Sequence, residues 1–163
     1  MTLTIEQFEK ELCSTVERKL RERIVVVALT WINTPFHDCC GIKGVGVDCA
    51  YFPIRVVNES RLFDEIPDPP PYSPQIMLHS NAELYLPTIL RYAREITEAA
   101  VKPADFVLYK VGRSFSHGAI VVRWPEYVIH PIRDRGVVGS HGTEEGFLRR
   151  RERRYFTLFE IWE

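Results

Sequence analysis

The stretch Gly44-Val45-Gly46-Val47-Asp48-Cys49-Ala50-Tyr51-Phe52 predicts a glycine-rich turn that leads into a buried helix, with one cysteine at the start of that helix. The apolar residues from Cys49 to Val57 favour the helix, and Pro53 is compatible with its first turn. Exposed N–H groups and the helix dipole stabilise a thiolate at such a position. Cys49 is therefore a candidate nucleophile. The alternative is an ordinary buried cysteine, since cysteine is among the most often buried residues.

A second motif, Ser116-His117-Gly118-Ala119-Ile120-Val121-Val122, lies far downstream in a β-branched run. An imidazole packed against Cys49 is expected to lower the thiol pKa and to act as a base in acyl transfer. His117 is predicted to start one strand and His130 to end the next, so antiparallel pairing brings the two rings together. His130 can then act as a neutral acceptor for the His117 ring nitrogen that does not face the thiol. A purely structural role for either histidine stays open.

The first part of the chain carries helical patterns. Apolar residues recur at helical spacing from Ile5 to Leu20, and Thr4 with Gln7 makes a capping box. This predicts an amphipathic N-terminal helix. Residues 23–33 fit either a strand or a buried helix, and periodicity does not decide between them.

Two further segments precede the strands. Residues 64–74 contain five prolines and are predicted to run extended over the surface, as a lid or cleft wall. A second capping box, Ser80 with Glu83, predicts a helix that reaches about Ala100 and is kinked at Pro87.

Beyond residue 104 the chain changes to β-branched and aromatic runs separated by Gly, Pro and charged turns, a pattern typical of an antiparallel meander. The predicted strands are 105–111, 117–124, 127–130 and 155–162. Helices followed by strands predict an α+β fold, with N-terminal helices packed on a C-terminal antiparallel sheet. The length of 163 residues suits one domain spanning 1–163.

Composition excludes several classes of protein. The net charge of −1 gives no general nucleic-acid footprint, and the basic run 149–154 is interrupted by Glu152, so a solvated surface is favoured over an anion-binding site. The run Ile24 to Ile32 is too short to span a membrane. The first residues lack the basic and apolar regions of a signal peptide, so we expect a cytoplasmic protein at synthesis. A disulfide scaffold is not expected either.

A metal site is the competing interpretation of the cysteines. His37, Cys39, Cys40 and Cys49 supply four soft ligands within a short span. Adjacent cysteines point in different directions, whereas zinc sites prefer two to four residues between paired ligands. We therefore expect no metal and no cofactor.

Taken in order, several motifs resemble the NlpC/P60 cysteine peptidases, which are papain-like enzymes that cut peptidoglycan stem peptides. The resemblance spans residues 20 to 132. The segment Pro70-Pro71-Tyr72-Ser73-Pro74 is similar to phage tail and gene-transfer-agent peptidases of this group. The motifs are Trp31-Ile32-Asn33-Thr34-Pro35-Phe36, Gly46-Val47-Asp48-Cys49, Asp105-Phe106-Val107-Leu108-Tyr109, Ser116-His117-Gly118-Ala119-Ile120 and Val128-Ile129-His130.

The resemblance implies a Cys49 nucleophile, a His117 general base and a His130 orienting group, with the Cys49 backbone N–H facing the oxyanion. Candidate substrate-binding residues are Phe36, His37 and Asp48. Family members usually carry Tyr where this chain has Phe36, and His37 offers a substitute polar contact, although an exposed loop histidine is the favoured interpretation. For Asp48, capping of the following helix is favoured over substrate contact.

The implied activity is hydrolysis of an amide bond in peptidoglycan stem peptides by a cysteine peptidase, in a phage or prophage context with phage tail proteins as partners. One alternative is a thiol amidase or acyltransferase on the same scaffold. The other is a non-catalytic tail component that keeps the fold as an assembly or binding module, which the Phe36 departure favours.

Overall fold

The structure is a computed structural model that describes residues 4–61, 64–73 and 85–159. Single 3-10 turns occur at Glu98–Ala100 and Gly146–Leu148. The helices and strands, in chain order, are α1 (Ile5–Leu29), β1 (Gly41–Ile42), β2 (Gly46–Val47), α2 (Tyr51–Ser60), α3 (Tyr85–Tyr92), β3 (Arg94–Ile96), β4 (Phe106–Val111), β5 (Ser114–Arg123), β6 (Tyr127–Ile132), β7 (Gly136–Ser140) and β8 (Arg153–Thr157).

Helix α1 begins at the predicted capping box. The Gln7 N–H donates to Thr4 Oγ1 at 3.2 Å, and the Thr4 N–H donates to Gln7 Oε1 at 2.9 Å, so the box is confirmed. The ambiguous residues after position 23 continue the same helix to Leu29. Ile24 and Ala28 lie one turn apart and are fully buried, so packing of this face selects helix over strand.

Helix α2 is buried along most of its length, as predicted. Pro53 is its third residue, where a missing N–H leaves no intrahelical hydrogen bond unmade. The helix ends at Ser60, and Arg61 caps it with left-handed backbone angles, φ 54°.

The predicted helix up to Ala100 is wrong in its second half. Helix α3 ends at Tyr92, and the next residues form strand β3, which pairs with β8. An open edge of the sheet thus competes with helix propensity and supplies hydrogen bonds to the backbone. Pro87 is the third residue of α3, so it lies in the first turn. The predicted capping box Ser80–Glu83 lies outside the described residues.

All neighbouring strands of the six-stranded sheet are antiparallel, in the order β3-β8-β4-β5-β6-β7. Strands β4 to β6 form the first three strands of the predicted meander. Strand β8, predicted as its fourth strand, pairs with the other side of β4 instead, and β7 takes the place beside β6. The last predicted strand is shorter than expected, since β8 ends at Thr157 and residues 160–163 lie outside the described part. Strand β7 was not predicted from the sequence.

The two faces of the sheet carry separate apolar clusters. Phe106, Leu108, Ile120 and Phe156 face the helices in the main core. The opposite face buries a smaller cluster around Val107, which Leu148 of the second 3-10 turn covers. The helices therefore pack on one face of the sheet, and the α+β prediction is confirmed.

The proline-rich segment has no helix or strand over residues 64–73, in agreement with the extended prediction. Ile66 is nevertheless buried, and Asn58 of α2 holds its backbone through hydrogen bonds of 2.8 and 2.9 Å. Within the described ranges, no helix combines the length and apolarity needed to cross a membrane.

A buried ion pair joins α1 to the sheet. Arg21 Nη1 lies 2.7 Å from Asp105 Oδ1, and both side chains are almost fully buried. The guanidinium also donates to the carbonyl of Pro103 and to Thr157 Oγ1. The Lys102 N–H donates to the second oxygen of Asp105. The three contacts of the guanidinium depend on α1 lying in one position.

We predict that Arg21→Met destabilises the protein by about 3–5 kcal/mol, because the Asp105 carboxylate is left buried and without a counter-charge. The double variant Arg21→Met with Asp105→Leu recovers most of this loss. Urea unfolding followed by circular dichroism measures both changes. The matched control is Arg18→Met, whose ion pair with Glu22 is exposed, and a loss there as large as for Arg21 would contradict the prediction.

Candidate active site

Asp48 starts helix α2. Its Oδ1 accepts hydrogen bonds from the N–H groups of Ala50 at 3.1 Å and Tyr51 at 3.0 Å, so the favoured capping role is confirmed. Cys49 lies between this cap and the first helical residue. The cysteine is therefore just outside the helix, in a turn whose backbone the carboxylate holds.

The other oxygen of Asp48 joins two distant segments. It accepts a hydrogen bond of 2.7 Å from the Cys39 N–H and one from the Tyr72 hydroxyl. The Cys39 thiol in turn donates to the Tyr72 carbonyl at 3.5 Å. Tyr72 thus attaches the proline-rich segment beside Cys49. Its role as a lid or cleft wall stays a prediction. The sequence marked Tyr72 only as part of the proline-rich motif and did not indicate it as a site residue.

A β-bulge brings strand β5 to Cys49. Tyr109 pairs with His117 and Lys110 pairs with Phe115, so the register skips Ser116. The carbonyl of Ser116 accepts a hydrogen bond of 3.3 Å from Cys49 Sγ. The extra residue therefore presents its carbonyl to the sulfur immediately before His117.

Tyr85, the first residue of α3, holds Cys49 from another side. Its buried hydroxyl donates to the Cys49 carbonyl at 3.0 Å. The same hydroxyl explains the glycine of the downstream motif, because a Cβ at Gly118 would lie only 2.7 Å from it. Tyr85 is a second site residue that no sequence motif indicated.

The two predicted histidines meet in a buried row of polar side chains. His117 Nε2 lies 2.9 Å from His130 Nδ1, and His130 Nε2 lies 2.9 Å from Ser140 Oγ. All three side chains are buried, and the Phe147 ring packs against His117 at 4.8 Å. The predicted pairing of the two histidines is confirmed. His117, however, lies inside β5, which begins at Ser114.

The structure brings Cys49 Sγ to the carbonyl of Ser116, the residue before His117, and no hydrogen bond joins the Cys49 and His117 side chains in the described part of the chain. Among the described residues, the partner of the sulfur is the Ser116 carbonyl. The Nε2 of His117 faces His130, so Nδ1 is the ring nitrogen that the His117–His130 contact leaves available for a thiol. This is the geometry of a neutral thiol that donates its proton to a carbonyl.

Burial sets the protonation of the site. It raises the pKa of Cys49 to about 12, and the adjacent Asp48 carboxylate raises it further in the same direction. Burial also lowers the pKa of His117 well below its usual value and lowers the pKa of His130 to about 4. The expected thiolate is therefore wrong for this state, because loss of hydration outweighs the helix N-terminus. A neutral thiol faces neutral imidazoles.

The candidate substrate-binding residues beyond Asp48 lie on the loop before β1. Phe36 is half-buried, forms a backbone bridge with Val47 and packs under the Arg133 guanidinium at 5.0 Å. Arg133 makes two hydrogen bonds of 2.9 Å with Asp38. His37 is exposed, and its backbone N–H donates to the Val47 carbonyl at 3.2 Å. A contact with substrate stays a prediction for these positions.

The four cysteines are free thiols, and Cys13 and Cys39 are exposed. Over the described ranges, no three His, Cys, Asp or Glu side chains converge in a way that could hold a metal ion. Cys39 and Cys49 are instead committed to backbone carbonyls of Tyr72 and Ser116.

Comparison with solved structures gives a clear likeness in fold. The structure resembles the NlpC/p60 domain of the peptidoglycan hydrolase SagA, with a TM-score of 0.59 and 17% sequence identity. The likeness covers 82% of this chain and 96% of that domain. No family model matches the chain. No curated protein matches it either. The chain therefore has the fold of an NlpC/p60 domain, as its motifs predicted.

We predict that iodoacetamide alkylates Cys13 and Cys39 before Cys49 in the folded protein at about pH 8, because the raised pKa leaves little Cys49 thiolate. Peptide mapping by mass spectrometry over time measures the order. Protein unfolded in guanidinium is the control, in which Cys49 loses its protection. Labelling of Cys49 first in the folded protein would show that the fold stabilises its thiolate.

Proposed function

We propose that this chain is a cysteine peptidase of the NlpC/P60 family that hydrolyses an amide bond in peptidoglycan stem peptides. The observation that carries the proposal is the row His117–His130 beside Cys49, on a fold shared with the NlpC/p60 domain of a peptidoglycan hydrolase. A buried neutral imidazole held by a second one, next to a thiol at a helix start, is the arrangement that nucleophilic acyl transfer needs.

The neutral resting state specifies how the proton moves. His117 takes the Cys49 proton as the sulfur attacks the substrate carbonyl, so the thiolate forms only during attack. The imidazolium then protonates the leaving amine, and an acyl-enzyme remains. Water then attacks the thioester carbonyl while His117 accepts a proton from it. The C–S bond breaks, the acid leaves, and His117 returns the proton to the sulfur, which restores the thiol and the neutral imidazole.

The Cys49 backbone N–H and the His130 ring can stabilise the charges that develop during attack. We assign the oxyanion to the Cys49 backbone N–H, because Asp48 already takes the N–H groups of the next two residues. One such donor lowers a barrier by about 3–4 kcal/mol. His130 stabilises the His117 imidazolium by accepting its Nε2–H, with no charge of its own.

A finer part of the proposal is the route by which the protein reaches the cell wall. The likeness of Pro70-Pro71-Tyr72-Ser73-Pro74 to phage tail and gene-transfer-agent peptidases supports delivery to the cell wall by a tail particle after cytoplasmic synthesis. Phage tail proteins would then be the partners of this domain.

A binding module is the second candidate. It is favoured by the absence of a thiol–imidazole hydrogen bond in the described part and by Phe36, where the resembled family usually carries Tyr. An acyltransferase on the same scaffold would keep Cys49 and His117. Mass spectrometry of stem-peptide products separates the three functions: a free acid indicates hydrolysis, a conjugate with an added amine indicates transfer, and an unchanged peptide indicates a binding module.

We predict that Cys49→Ala abolishes release of products from purified stem peptides and that His117→Ala lowers kcat at least a thousandfold, because the attacking thiol loses its base. Liquid chromatography with mass detection measures the products. Cys13→Ala is the control and keeps full activity, since Cys13 is exposed on α1. Activity in Cys49→Ala would rule out the nucleophile.

We predict that kcat/KM stays constant as pH falls through 6.5 and declines only at more acidic pH. The base works when neutral, and burial holds the pKa of His117 well below its usual value. Circular dichroism at each pH is the control, because the folded state loses stability as pH falls from 6.5 towards the lowered pKa values. A loss of activity centred near pH 6.5 in folded protein would contradict the prediction.

A further inference from the structure

Ser140 ends a straight diagonal row across three strands. His130 pairs with Val138 of β7, and Ser140 lies two residues further on the same face. Continuing the register Ile120↔Ile129 by one step places His130 opposite Ala119, two residues beyond His117. Diagonal neighbours on one face are within reach of long side chains. The sheet therefore aligns His117, His130 and Ser140.

Two contacts of 2.9 Å in this row must each hold one proton. A neutral imidazole has one N–H and one bare nitrogen, so the two contacts are linked through His130. If the Ser140 hydroxyl donates to His130 Nε2, then His130 Nδ1 carries the proton and donates to His117 Nε2. If Ser140 accepts, every donor in the row is reversed.

The two patterns differ at Cys49. When Ser140 donates, His117 accepts a hydrogen bond at Nε2 and must carry its own proton on Nδ1, so it has no lone pair for the thiol. When Ser140 accepts from His130 Nε2–H, His130 Nδ1 is bare and accepts from His117 Nε2–H. His117 Nδ1 is then bare and can take the Cys49 proton. Only the second pattern supports a base at His117.

We infer that Ser140 is a positioning residue whose hydroxyl accepts the His130 Nε2–H and thereby fixes both histidines in the tautomer that leaves His117 Nδ1 bare. The inference rests on the proposed function, because it is the base that requires this pattern. Ser140 is 6% exposed and His130 is 1% exposed, so water has little access to replace the hydroxyl. Burial also keeps both imidazoles neutral near pH 7, where tautomers matter.

The test is the tautomer of each histidine in the full chain labelled with ¹⁵N-histidine, read from long-range nitrogen–proton correlation spectra at about pH 7. We expect Nε2–H for both His117 and His130. A proton on His130 Nδ1 would overturn the inference. The spectrum is recorded without substrate, so the tautomers can be assigned whether or not the protein hydrolyses stem peptides. Absence of hydrolysis with the expected tautomers would count against the proposed function and not against the assignment of Ser140.

The Ser140→Ala variant tests the same role through its consequence. Without the acceptor, we expect His130 to lose its single tautomer and kcat to fall roughly tenfold with KM unchanged, the lower end of what loss of an outer partner costs a histidine at metal sites. Ser140→Thr keeps the hydroxyl, so this variant is expected to retain the single His130 tautomer and the wild-type kcat. The matched control is Ser60→Ala, which removes a buried hydroxyl bonded to the Val57 carbonyl on α2. An unchanged tautomer and kcat in Ser140→Ala would overturn the inference, and if that variant does not fold, the wild-type spectrum decides.

Discussion

The Asp48 carboxylate is the interaction on which the site depends. Its two oxygens accept four hydrogen bonds, two from N–H groups at the start of α2, one from Cys39 and one from Tyr72. One side chain therefore sets the direction of the helix, closes the loop before it and attaches the proline-rich segment. Cys49 follows directly in the chain, so its position is fixed by the same four contacts.

This arrangement has an electrostatic cost. The carboxylate that positions Cys49 also opposes its ionisation, and burial opposes it more. Burial acts on the histidines in the opposite direction and keeps them neutral. Cys49 and His117 therefore form no thiolate–imidazolium pair in the resting site. Chemistry in such a site depends on proton transfer during attack, and the direction of each hydrogen bond in the row from His117 to Ser140 becomes decisive.

Local patterns predicted most of the fold. The capping box of α1, the buried face of α2 and the strands β4 to β6 are all visible in short stretches, because each depends on neighbours along the chain. The errors occur where partners are distant. Residues 94–96 leave their helical pattern to pair with β8, and the glycine-containing β7 forms because β6 offers it a complete hydrogen-bond ladder.

The sequence by itself determined the α+β class, the cysteine before a helix and the two histidines on adjacent strands, since residue type and periodicity are local properties. Only the tertiary structure decided that the Cys49 thiol is neutral and that Tyr72, Tyr85 and Ser140 join the site. The physical reason is that a pKa depends on the hydration a group loses, and a buried hydrogen bond depends on a partner. Both come from segments that the folded chain brings together and that no stretch of sequence contains.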